Sequence, residues 1–322
     1  MSVIPKILER ARNSRILVAG DIMIDVYDFC YTAQSRPSPE LPDKKVYTAH
    51  RSAKVLGGAG NVAANLASLG VKTSLLSICG DDGNALEARR LCESSGIGHT
   101  LIADSSRPTT IKTRLYIDDH YLLRRDDELA HKVTPVQTEQ IVCAFTRILD
   151  HVDAVILSDY NKGFFIRETA QAMIGLCRER SIPVVVDLKP ANASLFSGAA
   201  VIAPNLKEAR EICPGFDPYQ KESSLKLIHD VLSAEKVAVT IGADGILVYE
   251  NGTAVHVPGR KVTAVDPCGC GDTVRAGLTL GLVAGLSLAE AADFANYAAS
   301  LAVQKLGTAV LSPEELLKGS TS

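Results

Sequence analysis

No apolar run in this sequence approaches the ~20 residues that a membrane-spanning helix needs. The N-terminal stretch MSVIPKILERARNSR carries charges where a signal peptide would carry its apolar core, so a cytoplasmic protein is expected. Positive charge is not in excess either. Thirty-four Lys and Arg against 37 Asp and Glu leave a net charge of −3, with no basic footprint for nucleic acid. The eight cysteines, at 30, 79, 92, 143, 177, 213, 268 and 270, lack the paired spacing of a zinc site or a disulfide framework. Cys268 and Cys270 form a close pair, but no second pair or nearby histidine completes it. No GxxxxGK[ST] occurs, which leaves a Walker-type nucleotidase unsupported. Tryptophan is absent and aromatics are 5%, which decides little.

What remains is an ordinary globular composition, 46% hydrophobic and 22% charged. A length of 322 residues fits one α/β domain. Strand-like runs recur at Ile16–Ala19, Ser74–Cys79, Ala154–Leu157, Pro183–Val186, Ala200–Ala203, Val237–Ile241 and Ile246–Tyr249. Segments of helical spacing lie between them, among them Asn61–Leu69, Asn84–Ser95, Arg167–Arg180 and Ser223–Ser233. This alternation predicts an α/β fold, a mostly parallel central sheet with helices on both faces. Two stretches break it, Tyr27–Val55 and Thr109–Arg125, and both read as β excursions forming a small lid.

Polar residues appear where the runs stop: Asp21, Ser158-Asp159, Asp187, Asn205, and Thr240 with Gly242. Ligands of open α/β sheets bind beyond the carboxyl ends of the strands, so these separated segments point at one crevice.

The chemistry is expected at Asp266-Pro-Cys-Gly-Cys-Gly-Asp-Thr-Val-Arg-Ala-Gly277. Here glycines and Asp272 stand directly ahead of an apolar, helix-compatible run. The unsatisfied amides of a helix N-terminus, with its positive partial charge, make an anion site. The amides of Gly269, Cys270 and Gly271 are predicted to converge there, with Asp272 beside them to take a proton from a hydroxyl. These are the parts phosphoryl transfer needs, because it depends on positioning and charge stabilisation. Behind the turn, Gly277, Gly281 and Gly285 share one helix face. Ala291, Ala295, Ala298 and Ala302 offer a smooth face opposite, on a helix opened by the capping box Ser287–Glu290 and stopped at Gly307.

Gly58-Ala-Gly-Asn-Val-Ala63 fits a dinucleotide fingerprint, with Asp81 at a suitable distance. A dinucleotide-dependent oxidoreductase is therefore an alternative. Against it, the preceding run Thr48–Lys54 is polar and basic rather than a buried strand.

Gly57-Gly-Ala-Gly-Asn61 and Asp266-x-x-Gly-x-Gly-Asp272, with Ala203-Pro-Asn-Leu-Lys-Glu208 and Thr240-Ile-Gly-Ala-Asp-Gly245 between them, resemble the motifs of the ribokinase-like (PfkB) carbohydrate kinase family. Within it the chain is most similar to the D-glycero-D-manno-heptose 7-phosphate 1-kinases. That likeness is carried by Gly20–Asp25, Ser35–Glu40, Pro108–Arg114, Leu122–Asp126, Ser158–Gly163 and Lys305–Thr308. The resemblance implies a ribokinase-like fold over residues 1–322. It also implies transfer of the ATP γ-phosphoryl to the C1 hydroxyl of a heptose 7-phosphate, a precursor step toward ADP-heptose. A PfkB-type kinase of another sugar or sugar phosphate is the alternative within the fold.

Roles are implied residue by residue. Asp272 with Gly269, Cys270 and Gly271 would be catalytic. Asp21, Asp25, Gly58, Asn61 and Asp159 would hold sugar hydroxyls, and Lys112, Arg114 and Arg124 the remote phosphate. Lys189, Asn205, Glu208, Thr240, Gly242, Gly245 and Asn296 would line the nucleotide side, with Glu208 also toward a metal. ATP and Mg²⁺ are implied, a monovalent cation is a further candidate, and a homodimer pairing through the lid is expected. Three departures stand out: Cys268-Gly-Cys-Gly-Asp272 where Thr-Gly-Ala-Gly-Asp is usual, Asp187-Leu-Lys189 for Asp-Pro-Lys, and Arg36-Pro-Ser for Arg-Ile-Ser. The nucleotidyltransferase half often fused to such kinases has no counterpart in the sequence.

Overall fold

A run such as Ile16-Leu-Val-Ala19 is apolar at every position, so it needs cover on both faces. In the structure, a computed structural model that describes residues 3–319, it receives that cover. Ile16 and Val18 enter one core with Ile7, Leu66 and Leu75. Leu17 and Ala19 enter another with Phe145, Met173 and Phe196 on the opposite face. This is the period-two alternation of a strand sandwiched between helical layers.

The central sheet has nine strands. Seven are parallel, in the spatial order Gly98–Ala103, Lys72–Cys79, Arg15–Gly20, Ala154–Ser158, Val184–Asp187, Val201–Ile202 and Lys236–Thr240. The antiparallel hairpin Gly245–Glu250 and Thr253–Pro258 finishes one edge. The edge strands Gly98–Ala103 and Thr253–Pro258 were not among the expected runs. Both are half-exposed and mixed in polarity, so neither carries an unbroken apolar signal. Helices Ile4–Asn13 and Pro135–Leu149 were also not anticipated, although the second opens on a capping box, Thr134 with Gln137.

The lid is a separate four-stranded sheet in the order Ala49–Gly58, Ile22–Cys30, Ile111–Ile117, His120–Asp127. It starts five residues earlier than expected. The run from Ile22 leaves the central sheet directly after Asp21 and pairs with the lid strands instead. Asp118 and Asp119, both at positive φ, make the tight turn of its second hairpin. Tyr27, Phe29 and Tyr116 form a small aromatic core within it. Among the described residues no helix is long and apolar enough to cross a membrane.

The C-terminal helix pair has the expected glycine–alanine contact at two of the three glycines. A β-carbon at Gly277 would lie 2.9 Å from the Ala295 Cα, and one at Gly281 would lie 2.7 Å from the Ala291 Cα. Gly285 is a correction. It faces nothing and ends helix Cys270–Val283 in the left-handed region, at φ 79°.

Candidate active site

Gly269, at φ 77°, turns the chain into helix Cys270–Val283. The Asp266 carboxylate ties this turn down by accepting the amides of Cys268 and Gly307, each at 2.9 Å. Asp272 then falls in the first helical turn and is buried. Its two oxygens accept Tyr160 Oη–H at 2.6 Å and Asn61 Nδ2–H at 2.6 Å. The next residue, Thr273, donates to Oδ1 of Asn65, one turn beyond Asn61, at 2.9 Å, so the helices carrying Asn61 and Asp272 are tied by a second side-chain bond. Asn61 therefore positions Asp272 and, being almost fully buried, is not itself a wall of the sugar-side cavity.

Burial raises the Asp272 carboxyl above its ordinary value, while Tyr160, Asn61 and the Arg275 charge pull it back down. Burial and the neighbouring carboxylate push the Tyr160 hydroxyl well above its ordinary value, so it stays a donor. Among the described residues the Gly269 and Gly271 amides have no partner, whereas the Cys270 amide donates back to Pro267 O at 3.3 Å. The cradle thus presents two of its three expected amides. Burial pushes the Cys270 thiol to about 11 and also raises Cys268, so neither is a thiolate near neutral pH.

Cavities open on both sides of the turn. The larger, of about 790 Å³, touches Pro267, Cys270 and Gly271, and is lined by Asn205, Thr240, Gly242, Gly245 and Asn296 of the expected nucleotide set. The smaller, of about 280 Å³, touches Cys268, Gly269 and Asp272 and lies between lid and body. Asp25, Gly58, Lys112, Arg114 and Arg124 line it, together with Tyr160 and Lys162. Its cations are already paired: Arg114 with Asp25 at 2.7 Å, Lys112 and Arg124 with Asp126 at 2.8 Å each, Lys162 with Glu128 at 2.6 Å.

Four expected ligand contacts go elsewhere. The Asp21 carboxylate accepts the amides of Tyr160, Lys162 and Phe164, so it shapes the loop that carries Tyr160. Burial first, and Asp159 second, raise its pKa to about 6. Asp159 accepts the Asn161 and Lys189 amides and the Asn192 side chain, and lines neither cavity. Lys189 and Glu208 pair with each other, and the second Glu208 oxygen accepts the Asn205 amide. Both Glu208 oxygens are thus engaged within the protein, and no cluster of three or more His, Cys, Asp and Glu suited to a metal occurs among the described residues. In each case the residue type was read correctly as polar and inward. Which partners converge on it is a property of the fold.

Tyr160, Lys162 and Arg275 went unassigned in the sequence. The first two follow closely on a strand end, and Arg275 is the one cation in an otherwise apolar stretch of helix; both signals were there to be read.

The dinucleotide alternative fails on connectivity. The strand before Gly58 belongs to the lid and runs antiparallel to its neighbour, so no parallel βαβ unit surrounds those glycines. At φ 58°, Gly58 instead lets the chain turn into helix Ala59–Ser68 against the Asp21 carbonyl.

Solved structures with the same architecture include Escherichia coli phosphofructokinase-2 in complex with fructose-6-phosphate. Its TM-score is 0.76 at 17% identity, over 96% of this chain and 98% of that one. Ribokinase from Thermotoga maritima gives 0.71 at 21%, over 96% and 100%. Among curated proteins, the bifunctional protein HldE of Bradyrhizobium diazoefficiens is 39% identical over 309 residues, 94% of this chain. That of Citrifermentans bemidjiense is 36% identical over 314 residues, 96% of this chain. The chain spans 62% and 64% of the lengths of these two relatives. Residues 13–315 match the description "pfkB family carbohydrate kinase", and the chain belongs to that family.

Proposed function

We propose that residues 1–322 form one ATP-dependent sugar kinase domain that moves the γ-phosphoryl group to the C1 hydroxyl of a heptose 7-phosphate. One observation carries this reading: the turn at 267–272 is a wall shared by two cavities, one large enough for a nucleotide, the other small, cation-lined and bearing Asp272. The heptose identity is supported by the sequence resemblance and by the two HldE relatives.

In this reading the acceptor hydroxyl lies against Asp272. Asn61 and Tyr160 take one lone pair on each oxygen and leave others free to receive its proton. The carboxylate is a weak base, so the proton moves late and alignment is its main contribution. The Gly269 and Gly271 amides, at the positive end of the helix, stabilise charge on the transferred group. Mg²⁺ enters with ATP as part of the substrate, held mainly by the phosphates, as is usual for this ion. A monovalent cation is a further candidate, since one fold neighbour, Escherichia coli phosphofructokinase-2, was solved with potassium.

The acceptor's remote phosphate must win Lys112, Arg124 and Lys162 from Asp126 and Glu128. Arg124 is half-exposed, so its loss should spare the fold. Arg124→Ala is expected to raise KM for the phosphorylated acceptor roughly tenfold and leave KM for ATP alone, since a hydrogen bond to a charged group contributes about 1.5–3 kcal/mol. An unchanged acceptor KM would point to a neutral sugar.

A second expectation follows from the buried Asp272. Only its ionised form takes a proton, and its pKa is raised, so kcat/KM should fall on the acid side at a pH above the 3.8 of an ordinary aspartate. A profile flat down to that value would remove Asp272 as the base.

The lid leaves strands Ala49–Gly58 and His120–Asp127 unpaired on their outer edges, with Tyr121, Leu122 and Leu123 exposed. Pairing of two lids in a homodimer would cover them. The deciding experiment for function is ADP release across phosphorylated and free sugars. Heptose 7-phosphate should be the best acceptor, and silence with every sugar would end the reading.

A further inference from the structure

Arg275 is a cation that this mechanism leaves unused. It lies one helical turn beyond Gly271 and is almost wholly buried. A buried guanidinium is tolerated when its donors are served, and an arginine held for structure alone would use most of its five N–H groups. Here one nitrogen is served: Nη2 donates to Asp187 Oδ1 at 2.7 Å and to Ala203 O at 2.9 Å. Nε is sealed in without a partner. Nη1 makes no hydrogen bond among the described residues and lies against Gly271, where an added β-carbon would come within 2.5 Å of it. The larger cavity reaches Arg275 beside Cys270 and Gly271. Asp187 thus holds the fork from behind, with its unserved side beneath the cradle.

We propose that Arg275 is a catalytic residue of the transfer step, its Nη1 donating to a non-bridging oxygen of the phosphoryl group held at the Gly271 amide. This rests on the kinase reading of the same site. As the bond from the γ-phosphorus to the acceptor oxygen forms, the bond to the β–γ bridging oxygen breaks and its electron pair leaves on ADP. The acceptor proton passes to Asp272, and Arg275 exchanges nothing. Its charge sits where negative charge spreads over the equatorial oxygens, and it needs no reorganisation at that moment. The absence of a side chain at Gly271 is what lets the guanidinium come this close.

The test uses the full chain and two variants. Arg275→Met combined with Asp187→Asn removes the pair without leaving a buried charge alone, and Arg275→Lys keeps a charge but loses the planar fork. The probes are ADP alone and ADP with aluminium fluoride, a mimic of the phosphoryl group in flight, titrated with heptose 7-phosphate present. The double variant should bind ADP within about threefold of the parent. It should lose roughly 100-fold both in kcat and in the added affinity of the fluoride complex, the size seen when one such donor is removed. Arg275→Lys should recover part of that loss. Retention of the fluoride complex's added affinity in a folded variant would overturn the proposal, as would an equal loss of ADP binding, the mark of a purely structural arginine. If the unaltered chain neither binds ADP nor releases it with any sugar, the kinase reading itself has failed and this proposal falls with it.

Discussion

Asp272→Asn is expected to lower turnover by roughly 1,000-fold, within the range for loss of a general base, and to leave ADP affinity nearly unchanged. The asparagine can still accept the Tyr160 hydroxyl, but it cannot take a proton from a sugar. Its amide nitrogen would face the Asn61 Nδ2, which now donates to Asp272 at 2.6 Å, so one of the two amides must turn over. Asn61 Oδ1 also lies 3.4 Å from Asn65 Nδ2, so that adjustment reaches the next helical turn. Some local rearrangement is therefore built into this variant. Removing a buried charge whose ionised form is disfavoured by desolvation offsets part of that cost. The measurement is a pair: steady-state ADP release with heptose 7-phosphate, and calorimetric titration with ADP. Turnover that survives the substitution would refute the assignment of Asp272. Turnover and ADP binding lost together would mean that the turn had collapsed.

The second large effect is expected far from any substrate. Gly281→Val should destabilise the protein by about 3 kcal/mol, the upper range of ordinary overpacking. For a chain of this size that is about 4–5 °C in melting temperature. The reason is geometric. Even a single β-carbon at Gly281 would meet the Ala291 Cβ at 2.6 Å and its Cα at 2.7 Å. Main chain stands on both sides, so no flexible side chain can yield. The helix that must move is the one that carries Asp272 at its N-terminus, so activity should fall along with stability. Gly175→Ala is the matched control. Gly175 lies inside helix Arg167–Glu179, and an added methyl group there would meet nothing within 4 Å. That change should stabilise by roughly 0.5–1 kcal/mol through the lost freedom of the unfolded chain. If both substitutions behave alike in thermal melts, helix propensity rather than helix contact governs Gly281.

The contrast between these glycines shows how far sequence reading reaches. A spacing of four correctly placed Gly277 and Gly281 against alanines, because helical periodicity alone puts them on one face. It included Gly285 wrongly, because periodicity does not say where the helix stops. The strand-end polar residues divide in the same way. Asn205 and Thr240 reach a cavity, whereas Asp21 and Asp159 turn inward to hold loop amides. Nothing in the local sequence of Gly20-Asp21 distinguishes an aspartate that meets a sugar from one that meets three amides more than 130 residues away. Helix Pro135–Leu149 is different, since its capping box was legible and simply was not used.

By itself the sequence determined the alternation of buried strands and helices, the glycine turn before Asp272 and the family. The first two are carried by short-range spacing, which backbone geometry converts directly into direction, and the family by the resemblance of several motifs in order along the chain. Only the tertiary structure decided that Asn61 and Tyr160 clamp Asp272, that Glu208 is taken by Lys189, and that Arg275, held by Asp187, leaves its Nη1 beneath Gly271 without a partner among the described residues. Those are matters of which distant donors fill which lone pairs, and that is settled by how helices and loops pack together.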